Sequence, residues 1–490
     1  MMRALYSGVS GLRVHQTKMD VIGNNIANVN TVGFKSSSVT FSDILYQTTS
    51  AATGPNAVTG AAGMNAMQIG LGSNVASITT KITTTGGSQR TDGWSDLMIE
   101  GDTFFIVKSN NANYFTKAGS FNVDANGNLC TPSGALVMGW QVSQDDLSVC
   151  KPDTVSPLRV MAADKLFAEP EATRNTHLSG NIDKNDTLLA PEAEGRLANV
   201  QFYDNLGNLF TAAFRIRRPA DGDEEGGTTN NFSVSLANVY DERGNSVFVN
   251  KETDEEGNVQ YSQSSITFNI NGTDIQPEVN EETGEITIED DGGVILSFNS
   301  ESGRFVSVTG GDGEEENNTS ITFQMVQEGG PYVPVSLDFS ALTMFAQSGT
   351  TTLEGIRGSK DNVAVGAGKP VGNMSGLSID KAGKIYGTYD NGDQLLLGQI
   401  AVAKFANPAG LEAIGNNMYA VTQNSGSFDG IGKDITATGG KFTPGVLEMS
   451  NVDLANEFTE MITTQRGFQA NSRIITTSDT LLEELINLKR

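Results

Sequence analysis

The 490-residue chain predicts a mixed fold: long terminal α-helices that pair as a coiled coil, with β-rich, mainly antiparallel domains nested between them. Three observations predict it. Both ends carry apolar residues at heptad spacing. The stretch between them consists of short β-type runs punctuated by Gly, Asn and Asp. The charge is concentrated in the middle, where residues 181–340 hold 30 Asp+Glu against 8 Lys+Arg, or −22 of the formal −26.

At the N-terminus the spaced residues are Leu5, Val9, Leu12, Gln16, Met19, Gly23 and Ile26, in alternating steps of four and three. Asn28–Asn30 and Gly33 supply the turn chemistry that ends this helix. The C-terminal stretch repeats the pattern at Phe458, Met461, Gln465, Phe468, Ser472, Ile475, Asp479, Leu482 and Ile486. Ser450-Asn451-Val452-Asp453 reads as a capping box that starts a helix. Only Gly467 interrupts the run beyond this box, so about 35 residues, or roughly 50 Å, form one helix. Polar residues break both seams. Neither helix buries well alone, and the pattern predicts that they pair with each other and with neighbouring copies.

Residues 36–87 are rich in Ser, Thr, Gly and Ala without a sustained period, which predicts an extended or loosely ordered connector. Strands come next at Leu97-Met98-Ile99, Phe104-Phe105-Ile106-Val107 and Tyr114-Phe115. One turn motif recurs, an Asp with a Gly three residues on between apolar pairs. It stands at Asp124–Gly127 and Asp380–Gly383, with looser versions at Asp204–Gly207 and Asn299–Gly303. Asp caps such a turn and Gly supplies positive φ. In the acidic stretch, Asp223-Glu224-Glu225, Asp254-Glu255-Glu256 and Glu314-Glu315-Glu316 fall between strand-like runs, which predicts a folded β domain with an acidic exterior.

Little here points to catalysis. His15 and His177 are the chain's 2 histidines and have no ligand partners at metal spacing, so they read as packing or surface residues. Gly366-Ala367-Gly368-Lys369-Pro370 imitates a phosphate loop but has Val363 and Pro370 where Gly and Ser or Thr belong. Asp221–Glu225 lacks the spacing of a calcium loop. No cofactor, metal or catalytic residue is expected. The acidity argues against nucleic acid, and no apolar run is long enough to insert in a membrane. For Cys130 and Cys150 three states stay open: free thiols, a disulfide, or a crosslink to a neighbouring subunit.

The opening Ala4-Leu5-Tyr6-Ser7-Gly8-Val9-Ser10-Gly11-Leu12 and Asn24-Asn25-Ile26-Ala27-Asn28-Val29-Asn30-Thr31-Val32-Gly33-Phe34-Lys35 resemble the N-terminal signature of bacterial flagellar rod and hook proteins. Leu447-Glu448-Met449-Ser450-Asn451-Val452-Asp453-Leu454 and Gln465-Arg466-Gly467-Phe468-Gln469-Ala470-Asn471 resemble the matching C-terminal end. Glu100–Val107 is similar to the family's first β segment, with Thr103 where Gly is usual. Tyr389–Gly392 and Ala403–Leu411 are similar to its return strands. The motifs cover about residues 1–140 and 355–490. The large acidic insertion favours the hook branch over the shorter distal rod proteins.

The resemblance implies a structural subunit, not an enzyme, that polymerises into a curved flexible tube carrying torque from rod to filament. It implies four parts: a terminal core of residues 1–30 and 450–490, a connector at 31–87, an inner β domain of 88–165 and 351–449, and an outer acidic domain at 166–350 in one or two subdomains. The polymerisation seam would be Leu5, Val9, Leu12, Met19 and Ile26 with Phe458, Met461, Phe468, Ile475 and Leu482. The ends would order only on assembly. Implied partners are further copies of the chain, the distal rod protein, the hook–filament junction protein, the hook cap and the flagellar type III export apparatus. The place would be the extracellular flagellum, reached without a cleaved signal peptide. The alternatives are a distal rod or junction protein, or a secreted glycan-binding or enzymatic β protein.

Overall fold

A computed structural model describes residues 2–55, 60, 62–143, 149–219, 230–253, 259–288, 294–309, 318–347 and 349–488. The three acidic triplets at 223–225, 254–256 and 314–316 lie outside the described residues. The chain divides into two compact units. The first joins residues 1–166, 375–388 and 394–490, and the second 167–374 and 389–393.

In the first unit the terminal helices are α1 (Met2–Ala27) and α2 (Leu454–Asn487). The cap of α2 is Asp453, one helical turn beyond the Ser450 at which the capping box would begin. The Asp453 carboxylate accepts from the N–H groups of Ala455 and Asn456, at 3.0 and 3.3 Å. Glu457 in the first turn suits the helix dipole. Helix α1 runs without a break from Met2 to Ala27. Its packing against α2 supplies the tertiary support that a lone helix of this length lacks.

The stretch expected as a loose connector is a β-ribbon. Ser37–Asp43 pairs antiparallel with Ser73–Thr80, and beyond it Tyr46–Ser50 pairs with Met67–Gly70. Most of its residues are exposed. A two-stranded ribbon that touches α1 only in part, with most of its residues in water, has no continuous inside and outside. Its sequence therefore shows no alternation to read.

The β body of this unit is built around Thr103–Ser109, paired with Ala112–Thr116, Leu136–Gln141 and Val402–Lys404. Asn110 and Asn111, both at positive φ (47° and 65°), make the tight turn of the first hairpin. Side chains alternate across the central strand into two cores. Phe104 and Ile106 enter one with Phe115, Trp140 and Tyr419. Phe105 and Val107 enter the other with Leu97, Phe121 and Phe442. The two ends of the chain close the body together, Leu97–Glu100 on Lys441–Pro444 and Ser88–Arg90 on Val446–Glu448.

The second unit has a six-stranded and a five-stranded sheet. Among the described residues its strand pairs are antiparallel except Asn175–Asn181 with Val335–Thr343. Thr352–Arg357, which the sequence placed with the inner domain, is the antiparallel neighbour of Asn175–Asn181 and completes this sheet. Phe202, Phe214, Phe232, Phe268, Phe323 and Phe339 join both sheets in a single core.

The recurring turn serves both units. Asp124, Asp204 and Asp241 each accept from the N–H of the residue four on, at 2.7–2.8 Å, and from that residue's Asn side chain. Asp380 accepts from Lys384 N–H at 2.8 Å. The glycine stands at φ 77–83° in all four. The Asp241 copy is one that the sequence pattern missed, because Tyr240 and Ser246 do not make the apolar frame.

Candidate assembly surface

The two helices run antiparallel: Gly8 faces Ile475, Gly11 faces Asn471, His15 faces Gly467, Lys18 bridges to Glu460 at 3.1 Å, and Asn25 donates to Glu457 at 3.0 Å. The buried residues of α1 are Gly8, Gly11, Val14, Ile22 and Asn25, a stripe of mainly small and polar residues with two apolar ones among them. A Cβ on Gly8 would lie 3.2 Å from Ile475 Cγ1, and one on Gly467 would lie 2.7 Å from the His15 ring. Thr464 and Ser478 are the buried residues of α2. Small side chains let the two backbones approach closely, and such a contact spares the larger apolar residues.

The expected seam lies one position along from this stripe on α1. Leu5, Leu12, Met19 and Ile26 are half-buried and Val9 is exposed. On α2, Ile475 meets Gly8, Met461, Phe468 and Leu482 are half-buried, and Phe458 is 49% exposed. The signal that places the intrachain contact was present as Gly8, Gly11 and Gly467, read from the sequence as family motif or interruption. Apolar residues of the ribbon add to the uncovered surface, among them Phe41, Ile44, Leu45, Tyr46, Met67, Ile69 and Ile78.

The ribbon is fastened to α1. The Asn25 side chain donates to Ser37 O at 2.8 Å and accepts from Ser37 N–H at 3.0 Å. Gly72 rests on Ser10, whose hydroxyl would lie 2.1 Å from any Cβ there. Phe41 meets the His15 ring edge to face at 6.1 Å. His15 is thus packed between α2 and the ribbon, with Nδ1 buried and without a hydrogen-bond partner among the described residues. Burial, with a smaller push from Lys18, lowers its pKa from the ordinary 6.5.

Where the helix roots meet the β body, three charged side chains are buried. Lys35 Nζ pairs with Glu448 Oε1 at 2.6 Å. Lys117 Nζ donates to Gly101 O at 2.7 Å and lies 5.1 Å from the centre of the Phe104 ring. Burial pushes the Lys117 ammonium down to about 8, against the pull of Glu448 and with the push of Lys35. Burial, with the charge of Glu448, pushes the Tyr419 hydroxyl up to about 12.

Cys130 is half-buried and Cys150 is buried. They sit on different segments, Cys130 opposite Leu136 and Cys150 opposite Val142. Burial raises both thiol pKa values. His177 is a packing residue, buried with Nδ1 2.9 Å from Gly358 O. Among the described residues no group of acidic, His or Cys side chains could hold a metal, and no helix is long and apolar enough to cross a membrane.

This set of features has counterparts in known proteins. Residues 5–35 match the flagella basal body rod protein family, 98–162 the D1 domain of flagellar hook proteins FlgE/F/G, and 443–488 the C-terminal family of the flagellar basal body rod FlgEFG proteins. Over 507 aligned residues and the full length of both chains, the sequence is 35% identical to the flagellar hook protein FlgE of Borreliella burgdorferi. It is 34% identical to that of Treponema pallidum over the full length of both. With the Escherichia coli FlgE it shares 30% identity, covering 99% of this chain and 100% of the relative. The chain belongs to the flagellar hook protein family.

Proposed function

We propose that the chain is the structural subunit of the bacterial flagellar hook, a curved tube of many copies that acts as a universal joint between rod and filament. The observation that carries this reading is an apolar stripe that the single chain buries only in part, with Val9 and Phe458 exposed. The helices pair through glycines and polar residues and leave Leu5, Val9, Leu12, Met19 and Ile26, with Phe458, Met461, Phe468 and Leu482, short of full burial. Apolar side chains left exposed on both helices, among them Tyr6, Val9, Phe458 and Ile462, mark an interaction site. Neighbouring copies cover it, and the helices bundle there as a coiled coil.

That arrangement sets the rest of the reading. The helices line the inner wall of the tube and the acidic domain at 166–350 faces outward, where like charge keeps it soluble. The subunit is not an enzyme. It leaves the cell unfolded through the flagellar type III apparatus and joins the distal rod protein, the junction protein and the hook cap outside. Cys130, the less buried thiol, is the one open to a covalent tie with a neighbour.

The test uses Val9→Asp and Phe458→Asp in the full chain. Both residues are exposed in the single chain, so each variant should melt within a few degrees of the parent. Sedimentation and electron microscopy of concentrated protein should show tubes for the parent and monomer for both variants. Tubes from both variants would remove the stripe from the assembly surface. A parent chain that stays monomeric at all concentrations, with or without preformed seeds, would count against the hook reading.

A further inference from the structure

Four segments of the first unit meet at Glu448. Its Oε1 accepts from Lys35 Nζ at 2.6 Å and from Gly86 N–H at 3.0 Å, and its backbone carbonyl accepts from Gly33 N–H at 2.7 Å. Lys35 Nζ also donates to Thr84 O at 2.8 Å. Three residues on, the Asn451 side chain accepts from Ser36 N–H at 2.7 Å and donates to Lys81 O at 3.0 Å. One pair of side chains therefore ties together the exit from α1, the exit from the ribbon and the entry to α2. The β body supplies the fourth wall: a Cβ on Gly33 would lie 2.8 Å from Ala118 N.

The chemistry of this knot is not that of an optimised adhesive. Both charges are desolvated, with side chains 1% and 0% exposed. Glu448 Oε2 is buried with no hydrogen-bond partner among the described residues. Desolvating an ion pair costs about as much as the pair returns, and well-packed apolar residues of similar volume are as stable or more so. What apolar residues lack is direction. A carboxylate taking an ammonium and an N–H on one oxygen admits one arrangement of the three backbones that present them, whereas packed methylenes admit several.

We propose that the Lys35–Glu448 pair is an orientation lock, which fixes the direction in which the α1–α2 pair leaves the β body. The pair holds geometry, while the fold itself is held by the two apolar cores. The lock acts within the single chain and does not depend on polymerisation. In a polymer it would give every copy the same shape to repeat.

The experiment measures that direction in the monomer. Nitroxide labels go on Gln469 of α2 and Asn110 of the β body, both exposed, in a Cys130→Ser, Cys150→Ala background. Pulsed electron–electron resonance should give one narrow distance for the parent. The double variant Lys35→Met, Glu448→Leu should melt within a few degrees of the parent while its distance distribution at least doubles in width. A second variant, Glu448→Asp, keeps the charge but shortens its reach by one methylene and should shift or broaden the distance. Distributions as narrow as the parent's, at the parent's distance, in both variants would overturn the proposal. So would a double variant that no longer folds, because the pair would then hold the fold.

Discussion

Gly11 of α1 lies so close to Asn471 of α2 that a Cβ on it would stand 2.6 Å from Asn471 Nδ2 and 2.9 Å from Cγ. The helix pair is thus set by backbone approach and not by interlocking large side chains. Gly11→Ala should force the Asn471 side chain aside, and Gly11→Leu should separate the helices. We expect losses of about 1 kcal/mol and about 3 kcal/mol, in the range of overpacked contacts. Urea unfolding followed by far-ultraviolet circular dichroism measures both. Equal stability of Gly11→Leu and the parent would refute the close contact.

The helix pair should weaken in acid through His15. Its imidazole has a lowered pKa when folded, so the unfolded chain binds the proton more readily. The stability His15 allows is complete above its ordinary value of 6.5 and falls as pH drops from there through the lowered folded value. His15→Gln should make the urea midpoint between pH 5 and 7.5 less dependent on pH. An unchanged slope would mean that other groups carry the acid response.

Lys117 acts at the opposite end of the scale. Its folded pKa of about 8 is below the ordinary 10.5, so the folded chain gives up this proton first. Stability should then rise with pH from about 8 upward, by at most on the order of 3 kcal/mol across the full window. Tyr419, held near 12 in the fold, opposes the trend above its ordinary value of 10.0, and the raised thiols of Cys130 and Cys150 oppose it above their ordinary 9.0, so the measurement belongs between pH 7.5 and 9. Lys117→Met should be more stable than the parent at pH 7.5 and flatter than the parent over that range. A parent whose midpoint does not move between pH 7.5 and 9 would contradict a charged, buried Lys117.

The shared turn motif separates backbone strain from crowding. Gly127 and Gly244 have nearly the same φ, 77° and 80°. A Cβ on Gly127 would lie 2.3 Å from the backbone of Met161, whereas Gly244 has open space. Gly244→Ala should cost about 1 kcal/mol, the penalty of a left-handed Ala. Gly127→Ala should cost at least twice that. Similar thermal shifts in the two variants would show that crowding at Met161 is relieved at no cost.

Much of this molecule is legible before folding. The heptad spacing gave both helices and nearly their ends, because a long amphipathic period survives polar interruptions. The Asp-to-Gly spacing marked turns whose bonds are local and need no tertiary partner. The run Phe104-Phe105-Ile106-Val107 announced a strand, and the fold covers it on both faces. The ribbon at 37–80 left no such trace, since a strand pair that is mostly exposed carries little periodic constraint. The side of α1 that meets α2 was also misjudged by one position. The residues that decide it, Gly8, Gly11 and Gly467, act through the side chains they lack.

The helices, the turns, the β character of the interior and the family are written in the chain itself, because each rests on residues close together or on motifs matched in order. Three outcomes waited for the folded molecule: which stripe of α1 is spent on α2, that the 37–80 ribbon lies along α1, and that Lys35 and Glu448, 413 residues apart, share one buried bond. Those outcomes depend on how closely two backbones approach and on where water is excluded. Both are properties of segments brought together in space, and no local pattern encodes them.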